Sequence, residues 1–186
     1  MVKKNGPWTI HERSVVYTNH WIQVHEDKVS LSDGTPGIFG IVTIKPGISV
    51  LAIDDHDFVY LTREFHYAIK KENLEVVSGG IEKNETPLHA AQRELEEELG
   101  ITAQEWVDLG IINPFTTVVD SPAHLFIAKK LIFGKNNLDS TEHILPVKVT
   151  FDNALEMVMK GTITHGPSCV LILKANEFIN KSNKKL

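Results

Sequence analysis

Residues 79–101 read GGIEKNETPLHAAQRELEEELGI, a glycine pair, a short polar loop and then a helical pattern with both ends marked. Thr86 is placed as an N-cap, and Pro87 falls at the first helical position, where its missing N–H removes no helix bond. Leu88, Ala91, Leu95 and Leu99 recur at spacings of three and four, so the segment carries one apolar stripe. Gly100 follows as the residue that ends the helix. Four carboxylates, Glu94, Glu96, Glu97 and Glu98, crowd into five positions. Of these, Glu94, Glu97 and Glu98 stand at i, i+3 and i+4 and share a face, expected to lie away from the leucines with Ala91 flanking it. Like charges at that spacing destabilise a helix by a few tenths of a kcal/mol per pair, so a counter-charge is required. A hard divalent cation bound through oxygen meets that requirement, and Arg93, four residues before Glu97, is close enough to pair with it. The Gly79-Gly80 pair is expected to permit positive φ and a close approach of backbone or substrate.

Outward from this segment the chain reads as strands followed by helices in irregular order. Strands are predicted at 14–26, 27–31, 37–45, 48–53, 58–65 and 74–78, then at 106–113, 124–131 and 145–150. Helices are predicted over 151–159 and from Gly166 or Ser168 to about Asn180. That order suits a mixed sheet with helices on its faces rather than a regular βαβ array. Three regions are expected: a β region over 1–45, the main domain over 46–180, and a short basic tail over 181–186 that frays in solvent.

Composition narrows the chemistry. The 186 residues are 42% hydrophobic with a net charge of −5, enough for a real core and without the basic field that a nucleic-acid partner needs. The single cysteine, Cys169, excludes an internal disulfide framework and reads as a packed small residue in an apolar setting. No apolar run nears the roughly 20 residues that span a bilayer, and no signal peptide is evident, so a cytoplasmic protein is expected. His66, His124, His143 and His165 offer no pair at zinc-site spacing and read as ordinary polar or core histidines.

The acidic segment resembles the Nudix box, G-x5-E-x7-R-E-U-x-E-E-x-G-U with U bulky aliphatic, and matches it at Gly79, Glu85, Arg93, Glu94, Leu95, Glu97, Glu98, Gly100 and Ile101. The resemblance implies an α/β/α sandwich with a mixed sheet, and attack of water on a diphosphate linked to another group, with Mg2+ as cofactor and Mn2+ as a possible substitute. It also implies that Glu94, Glu98, Glu97 and the carbonyl of Ser78 hold metal, that Arg93 orients the carboxylates, and that Glu85 supports the loop.

From Pro46 to Ala175 the chain further resembles the subfamily that cleaves ADP-ribose and other nucleoside diphosphate sugars. That likeness implies a catalytic set of Glu97, Arg93 and a loop carboxylate, for which Glu142 is the best match and Asp139 the second. It leaves Arg63, His66, Glu75 and Trp21 as candidate substrate contacts, with Trp8 a further aromatic able to stack on a base. Arg63 and His66 fall on opposite faces of their strand by alternation. Two departures bear on substrate choice. Glu64-Phe65-His66 stands where the subfamily has a Gln-x-Arg, and residues 116–121 lack its Ser-Pro-Gly and downstream glutamate. The resemblance implies a homodimer formed through the N-terminal β region and a nucleoside diphosphate-linked small molecule as substrate. Another capped diphosphate, or a Nudix module that binds nucleotides without cleaving them, are the alternatives.

Overall fold

The computed structural model describes residues 3–135 and 144–183, which divide into two compact units. The first comprises 1–46 and 113–122, the second 47–112 and 123–186.

The first unit is a five-stranded sheet in the order β1-β2-β3-β4-β9, formed by β1 (Lys3–Asn5), β2 (Trp8–Thr18), β3 (Ile22–Ser30), β4 (Pro36–Ile44) and β9 (Val119–Asp120). The boundary between β2 and β3 differs from the one expected near residue 26. Asn19 makes the turn instead, its side-chain oxygen accepting the backbone N–H groups of Trp21 and Ile22, both at 2.8 Å. An Asn turn of this kind carries no glycine or proline and leaves a weak mark in the sequence. Inside the sheet Asp27 is buried and takes both arms of the Arg13 guanidinium at 2.7 Å. That hydrogen-bonded cation holds the Asp27 carboxyl below its ordinary range against the opposing effect of burial.

The second unit is built on a six-stranded sheet in the order β11-β6-β7-β5-β10-β8. Its strands are β5 (Gly47–Ile53), β6 (Phe58–His66), β7 (Lys71–Gly80), β8 (Ile101–Ile112), β10 (Ala123–Phe133) and β11 (Leu145–Thr150). β10 runs parallel to β5 and the remaining pairs are antiparallel, so the sheet is mixed as expected. The near-continuous apolar run of β5 follows from burial on both faces. Ile48, Val50 and Ala52 pack with α1 (Pro87–Leu99), while Leu51 and Ile53 pack with α2 (Phe151–Met159) and α3 (Gly166–Asn183). This is the α/β/α sandwich that the family resemblance implies. α3 runs on to Asn183, past the expected end near Asn180 and into the region read as a fraying tail. Cys169 packs at the edge of the core, where burial pushes its thiol up, as a packed small residue should.

The hairpin between β5 and β6 is fixed by Asp54. One carboxylate oxygen accepts the N–H groups of His56 and Phe58, and the other accepts Tyr60 Oη–H at 2.9 Å. Burial alone would raise this carboxyl, but the hydrogen bonds and the nearby Lys148 ammonium bring it down to about 2. The folded pKa lies below the unfolded value, so the stability it confers is full above the unfolded pKa and is lost as pH falls through the folded one. Replacing Asp54 by alanine is expected to lower stability by roughly 2 kcal/mol at neutral pH. Denaturant melts at pH 7 and near pH 2 should show that difference shrinking at the acid end.

Candidate active site

α1 forms as its boundary residues dictate. Thr86 Oγ1 accepts the His89 N–H at 3.2 Å, Pro87 opens the helix, and Gly100 closes it at φ 64°, its N–H bonded to Glu96 O at 2.9 Å. The buried side of the helix is Ala90, Ala91, Leu95 and Glu98, and Leu88 is 37% exposed. The expected stripe is therefore rotated. The two alanines let the helix lie close on β5 and β7, and the buried arc takes in a carboxylate rather than lying opposite the acids.

Of the glycines before the helix, Gly79 acts by size and not by backbone conformation. Neither Gly79 nor Gly80 is among the described residues with positive φ. A Cβ on Gly79 would instead stand 2.1 Å from the carboxylate carbon of Glu94 and from its Oε1. The Glu94 carboxylate thus lies directly over the Gly79 backbone.

Arg93 ties the box together. Its Nε and Nη2 donate to the two oxygens of Glu85 at 2.9 and 3.0 Å, closing the loop onto the helix as a fork. Nη2 also donates to Gly80 O at 3.0 Å, and Nη1 bridges Glu94 Oε1 at 2.8 Å and Glu97 Oε2 at 3.0 Å. The hydrogen bond from Arg93 is the main reason that the Glu85 carboxyl sits below its ordinary range. Arg93 itself is held still more firmly protonated, by Glu85 first and then, against desolvation, by Glu94 and Glu97. Ser78 offers only its backbone, because its hydroxyl is hydrogen-bonded with Ser49 Oγ at 2.9 Å and with Val76 O.

Among the described residues, the donors that gather within 4.8 Å of one another are not the box carboxylates but Glu64, His66 and Glu75. Glu75 is buried, with His66 Nε2 at 2.5 Å from one oxygen and His165 Nδ1 at 2.9 Å from the other. Burial alone would raise its carboxyl, and the two histidines, His165 first, hold it below the usual range. Sequence spacing could not have found this group, since His66 and His165 lie on β6 and at the start of α3. Arg63 does not join it. Its side chain is exposed and, one residue out of step with Glu64 and His66, leaves the strand on the other face. Trp21 belongs to the first unit, 68% exposed and edge-on to His20. Trp8, also in the first unit, stands edge-on to Phe39 at 5.1 Å and lines a cavity of about 480 Å³ with Asp27, Thr116 and Asp120. Glu142 and Asp139 lie outside the described residues.

A model of the NUDIX domain matches residues 43–161, and one of the nucleoside diphosphate sugar hydrolase N-terminal domain matches residues 8–42. The chain belongs to the Nudix family. It is a Nudix hydrolase, and the relatives that it resembles fit that assignment. The ADP-ribose pyrophosphatase of Bacillus subtilis (strain 168) is 28% identical over 145 residues, 77% of this chain and 78% of the relative. The methanol dehydrogenase activator of Bacillus methanolicus is 26% identical over 161 residues, 84% of this chain and 86% of the relative. A crystal structure of an ADP compounds hydrolase matches with a TM-score of 0.83 at 18% identity, covering 97% of this chain and 98% of that one, a likeness that bears on the fold. Among the described residues of this Nudix hydrolase, no helix is long and apolar enough to cross a membrane.

Proposed function

We propose that this Nudix hydrolase cleaves the diphosphate of ADP-ribose or a related nucleoside diphosphate sugar, with Mg2+, to a nucleoside monophosphate and a sugar phosphate. The observation that carries the reading is the box geometry. Glu94 lies over Gly79, Glu98 is buried on the same helix face, and Arg93 holds Glu94 and Glu97 in place. The likeness to an ADP-ribose pyrophosphatase over most of both chains supports the substrate class.

The donor set fits the cation. Glu94, Glu97, Glu98 and the Ser78 carbonyl present oxygen only, the preference of a hard ion such as Mg2+. Bound there, the ion supplies neutralisation of the phosphate oxygens and acidification of a water. The chain's own groups do the rest. Arg93 fixes the carboxylates in orientation, and Glu85 fixes Arg93. Glu97, 43% exposed on its side chain and held by one arm only, is free to take a proton from water in the site. Arg93 accordingly acts by positioning.

Glu142, His66 and Glu75 stay candidates for the loop carboxylate and for substrate contact. A homodimer through the first unit is part of the proposal. Val16, Ile38 and Trp21 are each at least 66% exposed there, separate apolar side chains that a second copy could cover. A cytoplasmic setting suits a nucleotide-linked substrate.

The test is a panel of nucleoside diphosphate sugars, nucleoside triphosphates and dinucleoside polyphosphates, with Mg2+ or Mn2+ and products separated by chromatography. Monophosphate release with the diphosphate sugars foremost is expected, from a particle whose sedimentation mass is two chains. Release from none of the diphosphate sugars would remove the substrate assignment, and a single-chain mass would remove the dimer.

A further inference from the structure

Glu64 and His66 leave β6 on one face, and Glu75 leaves β7 on the same face, because its cross-strand partner is Thr62. One donor atom from each, two carboxylate oxygens and an imidazole nitrogen, lie within 4.8 Å of one another. The cluster has a floor and a mouth: the Glu75 side chain is 5% exposed and that of His66 34%.

Glu75 is also held from behind. His165 Nδ1 sits 2.9 Å from its second oxygen and 2.8 Å from Ser168 Oγ, and Ser168 in turn accepts the Val76 N–H at 3.0 Å. That last bond falls where β7 stops pairing with β5, at Val77, and continues along β6 alone. The start of α3 therefore fastens the strand beside the cluster. A carboxylate with one oxygen fixed by a histidine and the other turned toward a group of donors is oriented as metal-binding carboxylates are. Because an ionised carboxylate only accepts hydrogen bonds, His66 Nε2 carries the proton shared with Glu75. A cation at that nitrogen would take its place, the neutral ring keeping its proton at Nδ1 as the other tautomer.

We propose that Glu64, His66 and Glu75 form a second divalent-metal site, distinct from the box carboxylates, that prefers a transition ion such as Zn2+, Co2+ or Mn2+ to Mg2+. The preference follows from the donors. An imidazole nitrogen beside two carboxylates suits these ions, whereas Mg2+ favours oxygen and keeps its waters. Three protein donors leave at least one position for water or for a phosphate oxygen. The site is separate because Glu75 stands four residues before Gly79 along β7, roughly 13 Å of extended strand. The inference stands whether or not the hydrolase reading of the substrate is right.

The test keeps the two sites apart. The whole chain is titrated with Co2+ under a large excess of Mg2+ while visible d–d absorption is recorded. A parallel calorimetric titration with Zn2+ gives the number of ions bound per chain. One Co2+ and one Zn2+ per chain are expected under Mg2+. Glu98→Gln should keep this binding and His66→Ala should abolish it, with thermal melts establishing that both are folded. Glu64→Gln, a change at a partly exposed position, gives a second check and should weaken Co2+ binding at least about tenfold. Unchanged Co2+ absorption in His66→Ala and Glu64→Gln would overturn the proposal. So would loss of all transition-ion binding in Glu98→Gln, or no Co2+ taken up at all under Mg2+.

Discussion

Glu98→Gln is expected to reduce hydrolysis about a hundredfold or more while the melting temperature holds or rises. Glu98 lies on the buried side of α1, four residues after Glu94, so the two carboxylates face the same place at the spacing where like charges repel. Glutamine keeps the shape and one oxygen but loses the charge that, in the proposed mechanism, would hold a cation and acidify a water. Relief of repulsion acts on stability in the favourable direction, opposite to its effect on turnover. Initial rates on a diphosphate sugar, taken beside thermal melts, separate the two. A variant that loses both together would instead mark Glu98 as a packing residue.

Gly79→Ala is expected to lose about a hundredfold in turnover with only a small fall in melting temperature. The added methyl would stand 2.1 Å from the Glu94 carboxylate, so that side chain must leave its place over the strand. Glu94 is long and its end can swing, which keeps the effect on folding small. A displacement of about 1 Å in a positioned group can itself remove a hundredfold of rate. Gly79→Ser should behave alike. Rates at saturating substrate against a metal titration would reveal the displaced ligand as a raised metal requirement.

The acid run of α1 was legible because it breaks a local rule. Four carboxylates in five positions need a counter-charge, and Arg93 was placed to supply part of it. Its reach was not legible: the same guanidinium spans Glu85, Gly80, Glu94 and Glu97, and only the folded loop brings Gly80 and Glu85 to one cation. The helix bounds, Pro87 to Leu99, could be read from Thr86, Pro87 and Gly100, since caps are local chemistry. Which face is buried could not. Ala90 and Ala91 decide that by allowing close approach, and leucine periodicity alone pointed to Leu88. Gly79 was singled out for positive φ and for close approach, and the second is what holds: the operative fact is the missing Cβ. The meeting of His66, Glu75 and His165 depends on β6, β7 and the start of α3 converging. No spacing along the chain encodes it.

The most direct measurement of the central claim follows products of ADP-ribose by chromatography for the wild type and Glu98→Gln, each with Mg2+ and with a chelator. The account predicts AMP and ribose 5-phosphate from the wild type with Mg2+ only, and at most about a hundredth of that rate from the variant. Equal rates from the two proteins, or turnover by the wild type that persists in chelator, would contradict it.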